Sequence, residues 1–503
     1  MNRGLRVTII DSFPVVGAAV SLCAGVVARK SSGWGREQFL RSNFCRVLWI
    51  FLLFVITGAA AAQEQKPATP PTPDDRFKVD ILVFVGHPDD EAAATTYLAR
   101  ALDQGKRVGV VFGTRGGSGR NGAGAERAAA LADVRELEAR RACATLGITN
   151  VWFLGGKDTA SQNVLQSLAT WGHGATVEEA VRLVRLTRPE VILTYLPEVM
   201  IGENHGDHQA VGVIATEAFD LAADPTVFPA QVAGATRRLE PFLEGLRPWQ
   251  PKKLYFYYDG GHKEVFAGKG PEYSGRDIAK SRNWPYWRFA VESFRAHETQ
   301  AKDFLDSLAK MSEADIEKMA TRSGWADGEI FVMGKSLVGG SVTGDFFEGV
   351  GVGAIVPEKR APAEMAARRG FTLDLAGSWG FFAAFLPAHG ISRLPQVNPA
   401  EIAVQERTTL YIPLHVWNGL GKAQAVTFSL EMPENWKSKS DLKYLFRERE
   451  DAEIRLDIDL PAISSADENA REEHDVIVRA EAAGQKLGEL KLHVQLRKRA
   501  LPQ

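Results

Sequence analysis

Four short apolar runs, each followed by helical periodicity, constrain this chain more than any other feature. They read VDILVFVG (79–86), RVGVVFG (107–113), NVWFLG (150–155) and EVILTYL (190–196). Continuous apolar runs of this length mark strands buried on both faces. Helical periodicity follows at 91–102, at 125–146 up to Gly147, at 177–186 and at 209–219. Repeated strand–helix units predict an α/β fold, a mostly parallel sheet with helices on both faces. A further strand is expected at 252–258 and one long helix over 286–311.

The texture changes at about residue 403. TTLYIPLHVWNG, AEIRLDIDLP and KLGELKLHVQL alternate apolar and polar residues between polar turns. This predicts a C-terminal antiparallel β-sandwich over 403–503, joined to the α/β domain (78–353) by a patternless linker at 354–402. At 503 residues the chain is too long for one ordinary core. Its front resembles a signal peptide over 1–62, with Arg46, an apolar stretch from Val47 to Ile56 and a small-residue exit at Ala59–Ala62. A proline-rich linker (63–77) follows. Cleavage near Gln63 would make the protein secreted or periplasmic, with no stable membrane span left. A net charge of −2 gives no footprint for nucleic acid. Cys143, the one cysteine beyond the leader, sits in a helical pattern and reads as a small buried hydrophobe. Oligomeric state is not encoded in any of these features.

The loops after the four strands carry the chemistry. They hold His87-Pro88-Asp89-Asp90-Glu91, then Thr114-Arg115-Gly116-Gly117, then Asp158, then His205, Asp207 and His208. Ligands of open parallel sheets bind outside the carboxyl ends of the strands, so all four loops should face one crevice. A catalytic zinc site takes three nitrogen or oxygen donors and leaves one position open. His87, Asp90 and His208 supply such a set. Asp89, beside them, could take a proton from water. His205 could stabilise a developing oxyanion, and Asp207 could orient either histidine. Glu91 reads as first-turn helix charge. The bland alternative is that the acids only cap a helix.

GHPDDE followed by NHGDHQA resembles the PIG-L/LmbE family of zinc-dependent N-acetylglucosaminyl deacetylases. VRELEARRACATLGI, VWFLGGKD, RPEVILTYLP and AHETQ fit in the same order. They place Arg135 and Glu138 in register with the family's helix, and His297 and Gln300 with its late His-x-x-Gln. The resemblance covers roughly residues 78–350 and implies a Rossmann-like fold without a dinucleotide. It implies zinc or another divalent ion on His87, Asp90 and His208, Asp89 as general base, and His205 as oxyanion donor supported by Asp207. The implied reaction hydrolyses the acetamide of an acetylated amino sugar. Arg115, Arg135, Asp158, Glu203 and His297 are the candidate substrate residues. Gly117 stands where many relatives carry an acid, and Glu203 where some carry a tyrosine, so the usual substrates are in question.

Residues 117–122 spell G-x-G-x-x-G, but after the second strand and without the acid a dinucleotide site needs. A flexible glycine-rich rim is expected there, where Arg115 and Arg120 could meet an anionic or sugar substrate or simply be solvated. The C-terminal part resembles an Ig-like module of secreted glycosidases, in which Trp417 and Trp436 could stack on sugars or lie in the core. Two other functions stay open. One is a non-catalytic carbohydrate-binding protein, and the other is an amidase for a different acyl-amide, such as a thiol-sugar conjugate.

Overall fold

A computed structural model describes residues 73–200, 205–232, 245–258, 263–351, 370–391, 399–467 and 469–498. The leader expected at 1–62 and the candidate Glu203 lie outside these residues. No helix among the described residues is long and apolar enough to cross a membrane.

The apolar runs are strands: β1 (Ile81–Val85), β2 (Val108–Phe112), β3 (Asn150–Phe153), β4 (Val191–Tyr195) and β5 (Lys253–Tyr257). A small ribbon pairs β6 (Glu272–Tyr273) with β7 (Glu329–Ile330), and β8 (Val332–Ser336) closes the main sheet. The sheet order is β3-β2-β1-β4-β5-β8, parallel except for the antiparallel edge strand β8. All five residues of β1 are fully buried. At roughly 1.5–3 kcal/mol for each buried aliphatic side chain, that run is a strong reason for β1 to sit centrally.

The helices are α1 (Thr95–Asp103), α2 (Ala129–Leu146), α3 (Val164–Trp171), α4 (His173–Thr187), α5 (Gly206–Leu221), α6 (Tyr286–Phe294), α7 (Glu298–Leu308), α8 (Glu313–Arg322) and α9 (Gly377–Ala388). Two differ from the sequence reading in ways that matter. The long helix expected over 286–311 is broken between α6 and α7, and the break holds His297. The stretch expected as a linker, 354–402, contains β9 (Gly370–Leu375) and α9.

Strand β9 pairs antiparallel with β11 (Thr409–Gly419), so the C-terminal sheets begin earlier than residue 403. Their other strands are β10 (Ala400–Gln405), β12 (Gln424–Glu431), β13 (Lys437–Ser438), β14 (Lys443–Phe446), β15 (Asp451–Asp459), β16 (Arg471–Ala482) and β17 (Gln485–Arg497). They form a five-stranded sheet, β10-β17-β16-β12-β14, and a four-stranded sheet, β13-β15-β11-β9. Pairing is antiparallel except between β10 and β17. One apolar core, including Ile412, Leu414, Val478 and Val494, holds these strands together. Trp436 is buried in it, the core alternative, whereas Trp417 is half-buried on β11.

Candidate metal centre

The strand order runs outward in opposite directions from the β1/β4 pair, and such a switch point leaves a crevice at the carboxyl ends of the strands. His87 follows β1, and His208 lies in the first turn of α5 after β4. Between them the donor atoms converge. His87 Nδ1 lies 3.3 Å from His208 Nε2 and 3.4 Å from Asp90 Oδ2. His208 Nε2 lies 3.0 Å from the same oxygen. Donors about 2.0–2.1 Å from a tetrahedral ion are about 3.3–3.4 Å apart, so this triangle fits an ion such as zinc. The three imidazoles also cluster, with one ring nitrogen of each within 4.8 Å of the others. The tighter triangle is the one with Asp90 in place of His205, and it has the hard-plus-borderline donor mix that zinc accepts.

Local sequence explains how the triangle is built. A side chain on Gly86 would meet His208 Cδ2 at 2.7 Å and Asp90 Oδ2 at 3.0 Å, so only glycine fits between strand and site. Pro88 stiffens the turn, and the His87 backbone N–H donates to Asp90 Oδ2 at 2.6 Å. The His208 ring is stacked on Tyr195, the last residue of β4, with ring centres 4.0 Å apart. Burial would raise the Asp90 carboxyl, but the two histidines outweigh it and hold it well below the usual range.

Asp207 is fully buried and reaches His87 rather than His205. Its Oδ2 is 3.3 Å from His87 Nε2, and its carboxylate also accepts from the Thr159 N–H and Oγ1, each at 2.7 Å. Burial raises its pKa, but His87 and Thr159 lower it by more, so it is ionised and can only accept. Nε2 of His87 therefore carries a proton. Against burial, Asp207 and Asp90 raise the ring's pKa well above 6.5, and Nδ1 is the nitrogen that would give up its proton to an ion in the triangle. The support for His205 comes from the Asp207 backbone, whose N–H donates to His205 Nδ1 at 3.4 Å. Burial and the neighbouring His208 and His87 push the His205 pKa well below 6.5. His205 is thus neutral, with its proton on Nε2.

Asp89 is the strained residue. Its φ of 96° lies in the left-handed region, where a non-glycine residue costs on the order of 1–3 kcal/mol. Burial first, and then the charge of Asp90, raises its carboxyl to about 7. Glu91, read from the sequence as helix charge, is itself buried and spans two partners. Its Oε2 accepts the Asp89 N–H at 3.1 Å, and its Oε1 lies 2.6 Å from His297 Nε2.

The remaining candidates have structural partners. Arg115 pairs with Asp133 at 2.5 Å and Glu136 at 2.8 Å, both on α2. Arg135 is buried, and it donates to the Gly116 and Arg120 carbonyls and to Thr299 Oγ1. Asp158 accepts the Ser118 N–H at 2.7 Å. These bonds reach the glycine-rich rim at Gly116, Ser118 and Arg120. Cys143 is buried, and burial raises its thiol well above the ordinary value.

Fold and donor set define an α/β protein with a three-donor centre of metal type at its switch point. Residues 82–219 match the family model described as PIG-L, GlcNAc-PI de-N-acetylase, so the chain carries a PIG-L domain. Similar curated proteins are 1D-myo-inositol 2-acetamido-2-deoxy-alpha-D-glucopyranoside deacetylases. The one from Thermobifida fusca is 30% identical over 191 residues, covering 35% of this chain and 60% of that protein. One from Frankia alni is 34% identical over 186 residues, covering 34% of this chain and 59% of that protein. The chain thus spans about three fifths of the length of these relatives. Among solved structures, an N,N'-diacetylchitobiose deacetylase from Pyrococcus horikoshii is 18% identical, covering 52% of this chain and 85% of that one, with a TM-score of 0.36.

Proposed function

We propose that the α/β domain removes the acetyl group from an N-acetylglucosamine-type sugar by metal-assisted hydrolysis. The observation that carries this reading is the triangle of His87 Nδ1, Asp90 Oδ2 and His208 Nε2, with Asp89 beside it. Those three residues would hold a divalent ion, zinc by donor type, which supplies Lewis-acid polarisation of the acetamide carbonyl and a more acidic water.

The chain's own groups do the rest. Asp89, buried beside the triangle, is placed to take a proton from the attacking water. Neutral His205 donates from Nε2 to the carbonyl oxygen as negative charge builds there. Asp89 then returns its proton to the leaving nitrogen as the C–N bond breaks, giving acetate and the free amino sugar. Asp207 keeps His87 in the tautomer that presents Nδ1. The names of the similar proteins, deacetylases of an acetamido sugar, support the substrate class. The expected leader supports a place of action outside the cytoplasm.

Acetate release measured from N-acetylglucosamine, chitooligosaccharides and peptidoglycan fragments, with and without chelator, tests the proposal. Release that chelator abolishes and added zinc restores is expected. Glycan binding with no acetate from any of them would instead favour a non-catalytic carbohydrate-binding protein.

A further inference from the structure

We infer that Glu91 and His297 form a positioning pair that holds Asp89 in its left-handed conformation, an inference that rests on reading Asp89 as the proton acceptor. The two residues are 206 positions apart, and both are almost wholly buried. One carboxylate of Glu91 does two things. Oε2 receives the Asp89 N–H, and Oε1 is held by His297 Nε2. A charge-assisted contact of 2.6 Å between buried groups fixes the Glu91 side chain more firmly than a solvated one could be fixed.

The carbonyl end of the same Pro88–Asp89 peptide is held from the segment that carries His297. Gln300 Nε2 donates to the Pro88 carbonyl at 2.6 Å. That segment is anchored in turn on α2, because the Thr299 N–H and Oγ1 donate to Glu138 at 2.9 and 2.6 Å. Asp89 itself stands at a φ of 96°. A residue persists in such a conformation only where its surroundings over-determine it. Here the carbonyl before it and the N–H of the residue itself are both gripped through residues 297–300. The break between α6 and α7 exists at the place where His297 must turn inward. The pair is therefore a support for the reacting carboxylate, not a fourth ligand, since both Glu91 oxygens already have partners.

The test compares Glu91→Ala, Glu91→Gln and His297→Ala in the full chain. It measures bound zinc, kcat and KM for acetate release, and hydrogen exchange over residues 86–92. In Glu91→Ala, kcat should fall on the order of 10- to 100-fold, with KM and bound zinc near wild type. Exchange over 86–92 should quicken in both alanine variants. Glu91→Gln can still accept from the Asp89 N–H, and bonds His297 once that ring moves its proton to Nδ1, so it should recover part of both effects. Unchanged exchange in both alanine variants overturns the pair, as does a Glu91→Ala variant that keeps wild-type kcat or loses its zinc. Should Glu91→Ala fail to fold, His297→Ala decides by the same exchange measurement. A wild-type protein that releases no acetate sinks the reading of Asp89 as proton acceptor, while exchange still decides whether the pair holds the turn.

Discussion

At the scale of single residues, Asp89 combines backbone strain with an awkward charge. Its folded carboxyl stands near 7 against an ordinary 3.8, so the folded protein binds that proton more tightly than the unfolded chain does. The stabilising contribution is full below about 3.8 and is lost as pH rises through about 7. Asp89→Asn keeps a residue type that tolerates positive φ and removes the charge. In chelator-treated protein it is therefore expected to raise the melting temperature, by an amount that grows between pH 4 and pH 8. In zinc-loaded protein the same variant should lose about 10²- to 10⁴-fold in kcat. A melting temperature that does not depend on residue 89 at pH 8 would contradict the buried-carboxylate account. The spacing of His87, Asp89, Asp90 and His208 was readable in the sequence because strand, turn and helix start lie within a few residues of each donor. Glu91 was not, because what makes it more than helix charge is a histidine 206 residues away.

At the scale of elements, the strands that frame the site were legible and the helix ends were not. Strands β1, β2, β4 and β5 are apolar runs apart from Thr194 and Lys253, and burial on both faces favours that pattern. The break before α7 has helix-forming residues on either side, and only tertiary bonds to Glu91, Pro88 and Glu138 define it. The helix α3 was missed altogether. Its N-cap is Asn163, whose Oδ1 accepts the Leu165 N–H at 2.9 Å and the Ser378 hydroxyl at 3.1 Å. Ser167 in its first turn bonds Thr159, which holds Asp207. A side chain on Gly206 would meet Ser167 Oγ at 2.6 Å, so α3 is the seat on which the start of α5 rests. Asn163→Ala should destabilise the protein by about 1 kcal/mol, read as a shift of the denaturant midpoint. A shift indistinguishable from zero would show that Ser378 alone caps the helix.

At the scale of the whole molecule, α9 joins the two sets of sheets. Phe382, Phe385 and Leu386 are buried in the core of the α/β domain, while Trp379 on the same helix packs against both cores. A helix apolar on nearly every side shows no helical stripe, which is why FTLDLAGSWGFFAAFLPA read as patternless linker. Cutting the chain at residue 351 removes those three side chains from the first core, at roughly 1.5–3 kcal/mol each. Calorimetry should find that such a chain melts well below one ending at residue 391. Equal melting temperatures would mean that α9 is only a tether.

The contact between His87 and His208 closes a loop of 121 residues. A ribosome has made the whole of β1 to β4 before the second histidine exists, so a part-made chain lacks the donor set. The site can then choose its ion only where folding is completed. Under the proposed metal-assisted reaction, the identity of the ion becomes a property of the place where folding is completed, set by which divalent ions are free there.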